Sequence, residues 1–267
     1  MRRLIAGTVL AAFCFAAACA TRRPTTEFRA PDALPEAAQL DASLESRRDA
    51  VHSIRALAKL RYRDPESANT SREAIAVARP DRLRVEVLSF FGAVFVLTTD
   101  RGRFTAYATR EETVYRGEAS PENMWSYARI GLPVVDLVDL ILGTPPRRKA
   151  DWAQVSWDPE RGWIELTQEF SNGSEQVVWF LGNLPAASEF RDPYGEVQWH
   201  ATFSGYETHD NVLIATRIRL EVPSRDRSVE IELNDVDVNP TLEASTFSLD
   251  VPDGVRVVEI ESSESEY

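Results

Sequence analysis

The sequence predicts a mainly β chain with a few helices, folded as one large antiparallel sheet that curves into an open barrel. Three observations carry this. Apolar and polar residues alternate along much of the chain, as where Leu83, Val85 and Val87 interleave with Arg82, Arg84 and Glu86, which is the period of a half-buried strand. Short runs of this kind recur at regular spacing, separated by Gly, Asp and Glu turn chemistry, and so read as successive hairpins. The alternation breaks between Pro121 and Gly143, where two short helices interrupt about ten or eleven strands.

The elements follow in order. Arg2 and Arg3 precede the apolar run Leu4–Ala18, too short to span a bilayer but suited to a secretory signal, so residues 1–18 are read as a signal peptide. Its end, Ala16-Ala17-Ala18-Cys19, resembles the lipobox of bacterial lipoproteins, which makes Cys19 the expected lipidation site and acyl chains the expected anchor. Cleavage after an Ala-x-Ala site, giving a plainly secreted chain, is the alternative. Ala20 in place of an aspartate points to the periplasmic face of the outer membrane under the usual sorting rule. Residues 19–39, rich in Pro, Thr, Arg and Ala, read as a flexible linker. Leu40, Leu44, Val51, Ile54 and Leu57 then mark an amphipathic helix opening a single domain over 40–258.

Within that domain the strand signals are Leu83–Val87, Val94–Thr99, Arg103–Ala108 and Thr113–Tyr115. Ser120 is a candidate N-cap for a helix over Pro121–Ile130, and Pro133 to Leu142 reads as a second helix stopped by Gly143. Strands resume at Trp163–Gln168, Gln176–Leu181, Gly195–Tyr206, Val212–Val222 and Ser228–Val238. In the last run the apolar parity changes between Leu233 and Val236, which predicts a bulge near Asn234-Asp235. Residues 259–267 are acidic and serine-rich and read as a frayed, disordered tail.

Composition excludes several functions. With 42 acidic against 30 basic side chains and a formal net charge of -12, the surface repels phosphate backbones, so no nucleic-acid partner is expected. The two cysteines, Cys14 and Cys19, leave the body of the chain neither a disulfide framework nor a thiolate metal site. His52, His200 and His209 are not set at ligand spacing, and no nucleophile elbow, P-loop or dinucleotide fingerprint is present, so the reading is non-enzymatic, without metal or cofactor. The six tryptophans could line a cavity, but large aromatics in strands more often belong to an ordinary core.

Apolar residues in unusual places carry more information. Ser89-Phe90-Phe91-Gly92 falls where a hairpin tip normally bears polar residues; either the turn folds onto the core or it meets a membrane or acyl chain. The helix with Val134, Val135, Leu137, Val138, Leu140, Ile141 and Leu142 is apolar almost all round, with Asp136 and Asp139 on one narrow strip. It must be buried in protein or covered by an apolar ligand.

The stretch from Asp81 through Ser89-Phe90-Phe91-Gly92, the helix LPVVDLVDLILGTPP from Leu132 to Pro146, and Gly205-Tyr206-Glu207-Thr208 ahead of two strands together resemble the LolA/LolB-like lipoprotein localisation factors, closest to the LolB-type outer-membrane lipoproteins. The resemblance covers most of Arg47–Val238. It implies an incomplete antiparallel barrel of about eleven strands wrapped around a helical lid or plug. It also implies a monomer whose apolar cavity takes the acyl chains of lipoproteins or phospholipids from a soluble periplasmic carrier and passes them into the outer membrane. Phe90, Phe91 and Gly92 would form the membrane and acyl-chain insertion loop, and Met124, Trp125, Leu137, Val138, Ile141 and Leu142 the cavity or lid. The segment Asn239–Val251 with Pro252-Asp253-Gly254 departs from the LolB pattern and is more like the carrier branch of the fold. Because a fold can be kept while its function changes, a non-catalytic envelope adaptor that uses the same barrel for protein–protein interaction is the alternative.

Overall fold

The computed structural model describes residues 28–251 and 253–260; the expected signal peptide, Cys19 and residues 261–267 lie outside them. Helix α1 (Ala37–Ala50) is followed by a meander of β1 (Ser53–Arg63), β2 (Ala68–Ala78), β3 (Arg82–Ser89), β4 (Gly92–Asp100), β5 (Arg103–Ala108) and β6 (Thr113–Glu118). Helices α2 (Pro121–Ala128) and α3 (Val134–Ile141) come next. A second meander runs through β7 (Trp152–Asp158), β8 (Trp163–Glu169), β9 (Glu175–Leu181), β10 (Leu184–Arg191), β11 (Val197–His209), β12 (Val212–Val222) and β13 (Arg227–Val238), and β14 (Arg256–Ile260) closes the described chain.

All fourteen strands among the described residues join one sheet, in the order β14-β6-β5-β4-β3-β2-β1-β13-β12-β11-β10-β9-β8-β7. The two meanders meet where β1 pairs antiparallel with β13. β6 and β7 therefore lie at or next to opposite edges, and the chain between them must cross the sheet. That crossing is α2 and α3, which is why two helices lie on one face of an otherwise continuous ladder. No helix among the described residues is long and apolar enough to cross a membrane.

The local signals mostly hold. Ser120 Oγ accepts the Asn123 N–H at 3.3 Å, and Pro121 opens α2 as a residue with no N–H to satisfy. Gly143 stops α3 at φ +74°, and a Cβ there would meet the Ala215 Cβ of β12 at 3.2 Å. The bulge stands where the parity change places it: Arg55 pairs with Asp237 but Leu57 with Asn234, and Asp235 takes φ +51°. This keeps Val238 and Leu233 on the buried face.

Four differences have physical reasons. The first helix begins at Ala37, with the Glu36 N–H bonded to Gln39 Oε1 at 2.9 Å, and it ends at Ala50. Ile54 and Leu57 belong to β1 on opposite faces, Ile54 buried and Leu57 exposed. The true alternation, Ile54, Ala56 and Ala58, uses alanines that mark a face weakly. The strand count exceeds eleven because β2, β7, β10 and β14 carry weak signals, β2 starting with the polar run Ala-Asn-Thr-Ser-Arg-Glu. Finally, Glu259 and Ile260 are strand rather than tail, since β14 pairs parallel with β6 and covers backbone groups that an edge strand would leave open. The segment before it straps the outer face, with Phe247 buried on Ala76 and Ala78 and Arg84 Nη1 donating to the carbonyls of Thr246 and Ser248, both at 3.1 Å.

Candidate functional site

The inward positions of β1 to β4 and of β13 form an apolar surface partly covered by α3. An eight-residue helix is about 12 Å long, whereas the eleven residues of β1 extend about 36 Å. The cover is therefore shorter than the surface beneath it. The remaining space is a cavity of about 270 Å³ between Leu137 and Ile141 on one side and Leu60, Ile75, Val85, Leu97 and Ile231 on the other. Its wall reaches Tyr62, Val87, Phe95 and Val229, near the hairpin tips of β1–β2, β3–β4 and β12–β13, which all lie at one end of the sheet. Three polar groups join the lining: Tyr62, Glu73 and Arg129. Glu73 points inward from β2, accepts a hydrogen bond from Ser71 Oγ at 2.9 Å, and is held above the ordinary carboxylate range by burial.

Helix α3 is buried in protein, and its two carboxylates are paired. Asp139 takes Arg48 of α1 at 2.5 Å, Arg79 from the β2–β3 connection and the Arg147 N–H at 3.2 Å. Asp136 takes Arg148 at 2.5 Å, although burial still pushes its carboxyl up. Burial and the neighbouring Arg48 bring the Arg79 guanidinium down to about 9, and Arg79 also donates to the Val51 carbonyl and to Thr144 Oγ1. One side of α3 is thus fastened by charge while Leu137 and Ile141 look into the cavity.

The β3–β4 tip is exposed. Phe90 and Phe91 are 95% and 94% accessible, their rings edge to face at 5.2 Å. The turn beneath them is built: Ser89 Oγ accepts the Phe91 N–H and donates to the Gly92 carbonyl at 2.8 Å, and Gly92 takes φ +114°. The two rings do not plug the barrel end.

Of the expected lid residues, Leu137 and Ile141 line the cavity, whereas Val138 and Leu142 are buried in the surrounding core. Met124 is fully buried in that core. Trp125 lies outside the cavity lining, beneath Arg225 and Arg227, and no tryptophan lines the cavity. Sequence reasoning missed Tyr127, Ile130 and the strand walls as lining residues; the alternation of Leu83, Val85 and Val87 marked an inward face but not which part of it stays uncovered. It also missed two carboxylate neighbours of histidines. His200 Nδ1 lies 3.4 Å from Glu189, its cross-strand partner, and His209 Nε2 lies 3.7 Å from Glu207. Among the described residues no group of three His, Cys, Asp or Glu is arranged to hold a metal ion.

No family model matches the sequence, and no curated protein matches it significantly. Solved structures do resemble it. A DUF1329 family protein from Desulfovibrio piger is 15% identical, with a TM-score of 0.55 over 79% of this chain and 95% of that one. A putative outer membrane lipoprotein-sorting protein domain from Vibrio parahaemolyticus is 13% identical, with a TM-score of 0.51 over 79% and 97%. A LolA superfamily protein from Nitrosomonas europaea is 11% identical, with a TM-score of 0.55 over 81% and 99%. At these identities the likeness is one of fold: the chain has the large open sheet and helical cover of the LolA-like proteins. It does not reach the LolB branch specifically.

Proposed function

We propose that this chain is an outer-membrane-anchored periplasmic lipoprotein that holds an acyl chain in its cavity and accepts or inserts lipoproteins or lipids, the role of the LolB-type factors. The observation that carries this reading is the juxtaposition of an apolar cavity with two exposed phenylalanines at one end of the sheet. A volume of 270 Å³ holds about nine groups of roughly 30 Å³, the share of a water molecule and close to that of a methylene. That suits one acyl chain of medium length. Phenylalanines with roughly 150–250 Å² each to bury have no partner within the described chain except one another and so suit a bilayer. Cys19, when acylated, would supply the anchor.

Insertion of acylated client proteins into lipid vesicles tests the tip. Phe91→Glu should leave the melting temperature unchanged, because the side chain is exposed, and should strongly reduce client insertion; undiminished delivery would overturn the tip's role. Native mass spectrometry and titration with a fluorescent acyl probe test the cavity. Saturable binding, lost in a folded Leu137→Asn variant, is expected. A lipid-free, well-folded protein that binds no probe would favour the adaptor role instead.

A further inference from the structure

Arginines concentrate at the rim of the cavity without a carboxylate in ion-pair contact among the described residues. Arg129, which ends α2 in a left-handed conformation at φ +61°, lines the cavity. Arg225 and Arg227, from the β12–β13 turn and the start of β13, place their guanidinium carbons 4.1 and 4.0 Å from the centroid of the Trp125 ring, so the two charges lie within about 8 Å of each other. Arg227 projects from the same face of β13 as Val229 and Ile231 of the cavity wall. Its Nε and Nη1 are buried with no hydrogen-bond partner among the described residues. None of the three arginines has a carboxylate within ion-pair distance among the described residues, although thirteen others do.

Of the acids nearby, Asp226 is exposed in the same turn and makes no ion pair with either arginine among the described residues, and two others are engaged in hydrogen bonds. Asp64 accepts from the Tyr62 hydroxyl, from Ser67 Oγ and from the backbone N–H groups of Glu66 and Ser67. Glu73 is buried in the wall and bonded to Ser71. Stacking on Trp125 accounts for the flat faces of Arg225 and Arg227 but leaves their edge donors, which favour planar oxyanions, without an acceptor. Two like charges held this close make the rim a favourable place for an anion.

We infer that this rim is a binding site for the anionic head, phosphate or carboxylate, of a single-chain lipid whose acyl tail lies in the cavity. The inference rests on the acyl-chain reading and adds a preference to it, since the uncharged N-acylated cysteine of a mature lipoprotein offers no such anion. The substrate class is thereby an acidic lipid.

Displacement of a bound fluorescent acyl probe by lysophosphatidate and by the monoacylglycerol of the same chain, which differ only in the phosphate, tests it. Charge-assisted hydrogen bonds should favour lysophosphatidate by at least about tenfold. Arg225→Gln with Arg227→Gln, neither of which lines the cavity, should erase most of that advantage with monoacylglycerol affinity unchanged, and adding Arg129→Gln should erase the rest. If the triple variant does not fold, the double variant decides. Equal affinity for the two lipids in the unsubstituted protein, or an advantage that survives the substitutions, overturns the rim while leaving the cavity in place. Failure of both lipids to displace the probe overturns the cavity reading as well. Inorganic phosphate alone that protects against unfolding as well as lysophosphatidate does would identify a free-anion site and overturn the lipid assignment.

Discussion

Two helices cover the same face of the sheet with opposite results. Over β8 and β9, α1 places Leu40 and Leu44 against Leu166, Val178 and Phe180, a small cluster of buried side chains. Over β1 to β4 and β13, α3 buries nearly all of its residues and still leaves a cavity. Apolar content does not explain this, because α3 is by far the more apolar of the two. Length does: fourteen residues span about 21 Å and eight about 12 Å. A short helix fastened at one strip by charge cannot shift to fill the space beside it, so the cavity is kept open by what holds the helix.

Removing that fastening should break the contrast most severely. Asp139→Ala leaves Arg48 and Arg79 buried without their shared carboxylate, and a loss of about 3–5 kcal/mol is expected in urea unfolding. Paired truncations should sharpen the contrast. Leu166→Ala, fully buried in the filled half, should lose about 3 kcal/mol because a new void is created. Ile141→Ala, on the cavity wall, should lose about 2 kcal/mol, close to the transfer contribution alone, and should enlarge the cavity measured by probe binding. Equal losses would mean that the cavity collapses when unoccupied.

The smallest effect concerns Glu73. Burial raises its carboxyl above the ordinary 4.5, so the folded chain binds this proton more tightly than the unfolded chain does. The contribution is complete below about pH 4.5 and fades as pH rises through the higher folded value. Glu73→Gln mimics the protonated form. It should match the unsubstituted protein at pH 4 and exceed it at pH 7 by on the order of 1 kcal/mol; a constant difference across that range would assign the effect to packing.

Much of this was legible in the chain. The β3–β4 hairpin, the Ser120 cap, the bulge at Asp235 and the apolar tip each rest on a local rule that nothing elsewhere overrides. Features that depend on distant pairing were not. Glu73 lies in a polar-looking run and becomes a cavity residue only because β2 sits between β1 and β3. Glu189 and His200 are neighbours only through the β10–β11 register. Glu259 and Ile260 look like the start of a frayed end until β6 offers them an edge. Leu137 and Ile141 were separable from Val138 and Leu142 only once the sheet beneath them was in place.

Phe28 gives the molecule a direction. Its N–H donates to the Pro159 carbonyl at 2.9 Å, and its ring packs at Gly162, in the turn between β7 and β8. That turn lies at the end of the sheet opposite the Phe90–Phe91 tip. From Cys19 to Phe28 the chain can extend at most about 32 Å, scarcely the length of the longer strands. An acylated Cys19 and the phenylalanine tip can therefore touch one bilayer only if the sheet lies along it; a domain standing upright on this leash would present its tip, and the cavity mouth beside it, to whatever approaches from the opposite side.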